Sequence, residues 1–314
     1  MPDWVLHLGA TRALARPFDR WEPRWLLLGA VLPDVVPRLV AAAMDEVPPL
    51  QRYGTLEFGV YLGLLHTPFC VAFLVGALAA VARRPGAAAA GLGFGAGLHF
   101  VLDVMQHYWG SGTCLWFPFA FQQVTWSVAW YDSPPVYALV GLSAVYMVWS
   151  LWRGRMPRDW PFAASGRRAM LLVAGLSVFA LTPLVCLERA IAANVGSSRF
   201  ARHPEDYEGR QIAIAVATVD TASQGLVMID KADHKFAVDW SGREPVRTGA
   251  RISVRGLWRD ARLWPDGVFI HDYRIKKAAS LIGLVMLLCV WWPSLRQVIN
   301  ARGRGVRSRK RLGK

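Results

Sequence analysis

The chain has 314 residues and a mass of 34.9 kDa; 54% of the residues are hydrophobic and the mean hydropathy is +0.27, which excludes most soluble enzymes of this length. Lysine and arginine outnumber aspartate and glutamate 36 to 22, giving a formal net charge of +14 and a pI near 10.2. No zinc-finger spacing or helix-turn-helix pattern accompanies that excess, so it reads as the basic bias of cytoplasmic membrane loops and not as a nucleic-acid surface.

The N-terminal stretch MPDWVLHLGATRALARPFDRW lacks the ordered positive, apolar and small-residue regions of a signal peptide and is expected to stay in the mature protein. Apolar runs long enough to cross a hydrocarbon core of about 30 Å follow near 25–44, 57–81, 86–107, 134–152, 169–187 and 278–295. They predict a polytopic α-helical membrane protein with five to six spans. The first run contains Pro33, Asp34, Pro37 and Arg38, and is expected to be either a broken helix lining a polar cavity or a re-entrant segment. Basic residues alternate between loops: Arg12, Arg16, Arg20 and Arg24 precede the first run, Arg83 and Arg84 separate the second and third, and Arg153, Arg155, Arg158, Arg167 and Arg168 separate the fourth and fifth. Eight Lys/Arg from Arg296 to Lys314 follow the last run, whereas the intervening loops carry Arg52 alone or none. Both termini are therefore expected in the cytoplasm of a bacterial-type inner membrane, with segment 188–277 outside.

Between Arg210 and Ile275 the pattern switches to short alternating segments, QIAIAVATV, GLVMI, KFAVDW, ARISVRGLW and GVFIHDYRI, separated by SQG, KADH, SGREP and WPDG. They predict a five-stranded, small all-β extracytoplasmic barrel of the oligonucleotide/oligosaccharide-binding (OB) type, inserted before the last span. The expected division is 1–133, a transmembrane domain with a polar cluster; 134–195, additional helices; 196–277, the β domain; and 278–314, a final span with a basic tail. Fifteen Lys/Arg against twelve Asp/Glu in Glu188–Lys277 make too sparse a basic surface for nucleic acid, so a glycan, a lipid headgroup or a partner protein is the expected ligand. His203, His234 and His271 show no metal spacing and read as surface or turn residues. The four tryptophans of the 108–133 loop read either as an interfacial belt or as a lid over a lipid substrate. Short tethers at both ends of the barrel predict that it covers the outer mouth of the polar cluster.

That cluster consists of ionisable residues inside apolar runs, where each needs a partner or a function. His99, Asp103 and His107 follow at i, i+4 and i+8, on one helix face, while Asp34 and His66 are placed near the bilayer middle. Imidazole and carboxylate donors suit a divalent transition metal, Zn, Mn or Fe. The alternative is that His66 and His99 are hydrogen-bonded core residues and Asp34 pairs with Arg38.

Taken in order, His7, GAVLPD (Gly29–Asp34), LLHTPF around His66, LHFVLDV (Leu98–Val104) and LWFPF (Leu115–Phe119) make residues 1–133 resemble the YdjM-like family of membrane-bound metal-dependent hydrolases. The resemblance implies a metal site of His7, Asp34, His66, His99 and Asp103, with Asp34 and His66 in catalysis. Val36 and Pro37 stand where the family pattern has a second Asp and a His, and Tyr61-Leu62 stand where it has His-Arg, which leaves donors for one metal. His107 is a candidate replacement. The expected function is a membrane-embedded, metal-dependent hydrolase of an amphiphilic ester or phosphoester, partnered by membrane lipids. The alternative is a non-catalytic scaffold presenting the barrel to an envelope protein. No phosphate-binding loop, dinucleotide fingerprint, serine-hydrolase elbow or H-E-x-x-H occurs.

Overall fold

The computed structural model describes residues 4–16, 22–47, 54–130, 132–153, 159–163, 165–223, 225–231 and 233–312. Arg20, Arg52, Arg155, Arg158 and Lys314, on which part of the expected topology rests, lie outside the described residues.

A short helix, α1 (Trp4–Leu14), precedes α2 (Pro23–Glu46), which carries Pro23 in its first turn. The expected break or re-entrant turn in α2 does not occur: Pro33 and Pro37 sit inside one helix. An isolated helix would be weakened there, because each proline removes an amide donor. Here α2 lies against α5 (Pro85–Val104), whose glycines let the two backbones nearly touch. A Cβ at Gly29 would stand 2.3 Å from the Leu92 carbonyl oxygen, and one at Gly95 2.3 Å from that of Leu26.

The break falls in the second run instead. α3 (Leu56–Leu65) and α4 (Pro68–Ala80) are bent by 59° at His66 and Thr67. Pro68 cannot supply the amide that would continue the helix, and the Thr67 hydroxyl donates to the Leu64 carbonyl at 2.8 Å in its place. Among the described residues, four helical segments are long and apolar enough to cross a membrane: α5, α6 (Pro134–Arg153), α7 (Gly166–Ala192) and the Arg274–Gln297 stretch of the last helix; α3 with α4 makes a fifth if the bent pair is one span.

The arginine-rich connections gather at one end of this bundle. Buried Arg24 bonds Glu22, Asp159 and Ser294, and Arg168 donates to the Ala82 carbonyl beside the Ala82–Phe162 bridge. The β domain occupies the opposite end, where α2, α5 and α7 finish and α3 and α6 begin.

After α8 (Ser198–Arg202) the strands are β1 (Arg210–Ser223), β2 (Leu226–Lys231), β3 (His234–Asp239), β4 (Arg251–Arg259) and β5 (Arg262–His271). Pairing runs β1-β2-β3-β5-β4 and β4 returns to β1, closing a barrel; the closing β3–β5 contact is parallel and brief, Ala237 opposite Arg262 and Val238 opposite Leu263. Inward Ile214, Val227, Ile229, Val238, Ile252 and Val254 fill it, and Phe200 of α8 packs on Phe236 and Trp258 at ring distances of 5.0 and 5.1 Å. The expected WPDG turn lies inside β5. The reversal comes earlier, at Asp260-Ala261, both with positive φ as a two-residue hairpin requires, while a bulge at Gly256 accommodates the Trp264-Pro265 backbone. The last helix, α9 (Tyr273–Leu312), starts directly after β5.

His271 is not the surface residue expected. It is buried at the seam between barrel and bundle, its Nδ1 2.9 Å from Asp132 Oδ2 and its Nε2 2.8 Å from Ser253 Oγ. The order Ser–His–Asp is that of a hydrolytic triad, but Ser253 is fully buried and its Oγ already accepts from the Val216 amide at 3.1 Å. The three residues act as a joint. Around it Trp130 stacks on Phe269 with ring centroids 4.1 Å apart, and Arg255 lies 4.9 Å over Trp109. The loop's Trp109 and Trp130 are thus packed between barrel and bundle, whereas Trp116 and Trp126 face outward.

Candidate metal centre

Four helical elements bring five titratable side chains to one point. α1 supplies His7, α2 supplies Asp34, the α3/α4 break supplies His66, and α5 supplies His99 and Asp103 one turn apart; all five are buried. His66 Nε2 lies 2.9 Å from His99 Nε2, 3.1 Å from Asp103 Oδ2 and 3.4 Å from Asp34 Oδ1. His99 Nε2 is 3.3 Å from Asp103 Oδ2 and 3.9 Å from Asp34 Oδ1, and His7 Nε2 is 3.6 Å from Asp103 Oδ1. Two overlapping donor sets, His7/Asp34/His99 and His66/His99/Asp103, share His99. Donor atoms about 2.0–2.2 Å from a tetrahedral metal stand about 3.3–3.6 Å from one another, the range these separations bracket.

The outward atoms of the same groups are tied down. His99 Nδ1 donates to the Ala30 carbonyl at 2.8 Å, which leaves the Nε2 lone pair facing the cluster. Asp34 Oδ2 accepts from the Trp4 indole at 3.3 Å and forms an ion pair with Arg38, Nε at 2.5 Å; Asp103 Oδ1 accepts from Gln106 Nε2 at 2.9 Å, and Gln106 is itself fixed by the Tyr108 hydroxyl. The His7 ring stacks on His99 at 3.9 Å. Asp34 Oδ1, Asp103 Oδ2 and both His7 ring nitrogens are buried with no hydrogen-bond partner among the described residues. Two carboxylates face each other here with Arg38 as the nearest full positive charge, an arrangement that costs several kcal/mol on the scale of buried ions unless a cation joins it. The five residues therefore have donor atoms spaced and oriented so that they could hold a metal ion.

All five sequence-derived candidates meet, and the Asp34–Arg38 pair of the alternative reading is present as well. His107 does not join them. α5 stops at Val104 because the 124–129 segment folds back and its Trp126 and Val128 amides occupy the Val104 and Met105 carbonyls. His107 lies beyond that end, 4.5 Å from the Trp130 ring. Of the other groups that orient the cluster, Trp4, Tyr108 and the Ala30 carbonyl carry no signal in the sequence; only Gln106, three residues after Asp103, has a readable spacing.

A cavity of about 380 Å³ opens on His66 and Asp103, walled by Arg38, Tyr108, Val216 of β1 and Lys276 of α9. It shares Gly59, Gly63, Ser111, Gly112 and Val216 with a larger hollow of about 780 Å³ between α3 and the barrel. The barrel thus roofs the side from which the cluster is reached. No known family, curated protein or solved structure matches the chain.

Proposed function

We propose that the protein is a multi-pass membrane hydrolase whose buried cluster holds one divalent transition metal and which acts on an amphiphilic ester or phosphoester, as the resemblance to YdjM-like hydrolases implies. The observation that carries this is the polarity of the cluster: outward donor atoms are bonded, while inward Asp34 Oδ1 and Asp103 Oδ2 face imidazole nitrogens without partners of their own. Membrane residence is supported by the outward faces of α6 and α7, where Leu142, Val145, Met170 and Val185 are all exposed. In this reading the arginine-rich end is cytoplasmic and the OB-like barrel lies outside.

His66, His99 and Asp103 hold the metal, with His7 stacked behind. A bound divalent ion supplies Lewis-acid activation of water and of the substrate oxygen. Asp34 Oδ1 accepts the proton released, since its partner oxygen is pinned by Trp4 and Arg38 and it lies within 3.4 Å of His66. His66 and Asp103 face the cavity and Asp34 does not, so substrate meets the cluster from the His66 side. Elemental analysis of the protein purified in detergent tests this: about one metal per chain is expected, lost in the His99→Ala, Asp103→Ala double variant. A metal-free wild type would overturn it in favour of the scaffold reading, to which the open groove beside Trp264 and Arg243 on the barrel gives a docking place.

A further inference from the structure

We propose that the cavity beside the metal cluster takes a phosphate monoester, the headgroup of a single amphiphile, and that Lys276 and Arg38 are the cations that hold it; this deepens the metal-hydrolase reading and rests on it. The reasoning starts from charge. Asp34 and Asp103 bring two negative charges, which a bound divalent ion balances, so Arg38 and Lys276 leave the cavity mouth with two positive charges in excess. A phosphomonoester carries about −1.5 to −2 at neutral pH and matches that excess, whereas a carboxylic ester is neutral and a phosphodiester or a sulfate ester carries a single charge. The two cations reach the cavity from different elements, Arg38 from α2 and Lys276 from the start of α9 immediately after the barrel.

Arg38 is held at the cavity wall by its ion pair with Asp34 Oδ2 at 2.5 Å and by Ser280 Oγ at 3.3 Å, so its permanent charge is fixed beside the cluster. The remaining wall explains why the ligand is an amphiphile. Pro37 and Ala41 of α2 face Leu62 of α3 across the cavity, and Gly59 and Gly63 of α3 have no neighbour where a side chain would stand, so an apolar slot runs between two sparsely packed helices. Hydrolysis of such a monoester forms one bond from water oxygen to phosphorus, breaks the ester P–O bond, and passes one water proton to the leaving alkoxide, giving an alcohol and inorganic phosphate.

The test uses the full chain in maltoside micelles and dodecylphosphonate, whose C–P bond is not hydrolysed, followed by 31P line broadening and tryptophan fluorescence. Wild type is expected to bind it roughly ten-fold or more tightly than dodecylsulfonate and than inorganic phosphate. Lys276→Gln should lose roughly ten-fold in that affinity with its bound metal and melting curve unchanged, and Lys276→Arg should restore most of it. Equal affinity for phosphonate and sulfonate, or full affinity in Lys276→Gln, would overturn the phosphoryl site while a metal-loaded wild type leaves the hydrolase reading standing. Inorganic phosphate binding as tightly as dodecylphosphonate would overturn the lipid source and point to a soluble phosphate. A metal-free wild type would overturn the parent reading itself.

Discussion

Replacing Gly95 by alanine should damage both the fold and the candidate metal centre, and the size of the effect follows from the α2/α5 contact. The added Cβ would sit 2.3 Å from the Leu26 carbonyl oxygen and 2.6 Å from the Ala30 amide nitrogen, closer than the 3.0 Å below which such contacts are essentially not found. Relieving the first contact needs at least 0.7 Å of separation, the difference between 3.0 and 2.3 Å. The His99 Nδ1 bond to the Ala30 carbonyl, now 2.8 Å, would stretch to about 3.5 Å, beyond hydrogen-bond range. Overpacking of this kind costs about 1–3 kcal/mol, and a buried imidazole donor left without its acceptor adds about 1–3 kcal/mol. Freed of that bond, His99 also loses the orientation that points Nε2 at the cluster. Gly97, on the same helix with nothing within 4 Å of its would-be Cβ, is the control; there alanine should be neutral or slightly stabilising. The assay is the melting temperature by tryptophan fluorescence together with metal content per chain. A Gly95→Ala protein that melts with Gly97→Ala and retains as much metal would refute the close-contact argument.

His271→Ala leaves buried Asp132 without its imidazole partner and should cost about 2–4 kcal/mol, read as faster amide exchange in β4, β5 and the 126–130 segment with the bundle unaffected; uniform exchange would show that the joint does not hold the barrel. Cysteine at Ser223 should react with an impermeant reagent added to intact cells and cysteine at Ser308 should not, and the reverse pattern would invert the topology. Burial and the nearby Arg255 guanidinium hold the His107 imidazole below its ordinary value of 6.5. The folded state then binds fewer protons there than the unfolded chain, so stability falls as pH drops below about 6.5, and His107→Asn should flatten the melting profile between about pH 5 and 7. An unchanged profile would place the dependence elsewhere.

Local periodicity made much of the architecture readable. Apolar runs marked the helices, alternation marked five strands, and the i, i+4 spacing of His99 and Asp103 put both on one face of α5, because side-chain direction along a helix or strand depends on neighbouring residues only. Thr67-Pro68 announced a break, yet the length of the surrounding apolar run hid it. The continuity of α2 through Pro33 and Pro37 depends on a partner helix close enough to hold it, and that closeness comes from Gly91 and Gly95, far along the chain. Likewise His271 alternates along β5 like any strand residue, and only its meeting with Asp132, 139 positions away, makes it a buried joint. The sequence by itself therefore determined which ionisable residues are candidates for a buried cluster and which elements they ride on. The tertiary structure decided that His7 and Trp4 join the cluster, that His107 does not, and that Lys276 faces it, because those outcomes turn on which surfaces pack together, and packing is settled by long-range contacts that spacing along the chain does not encode.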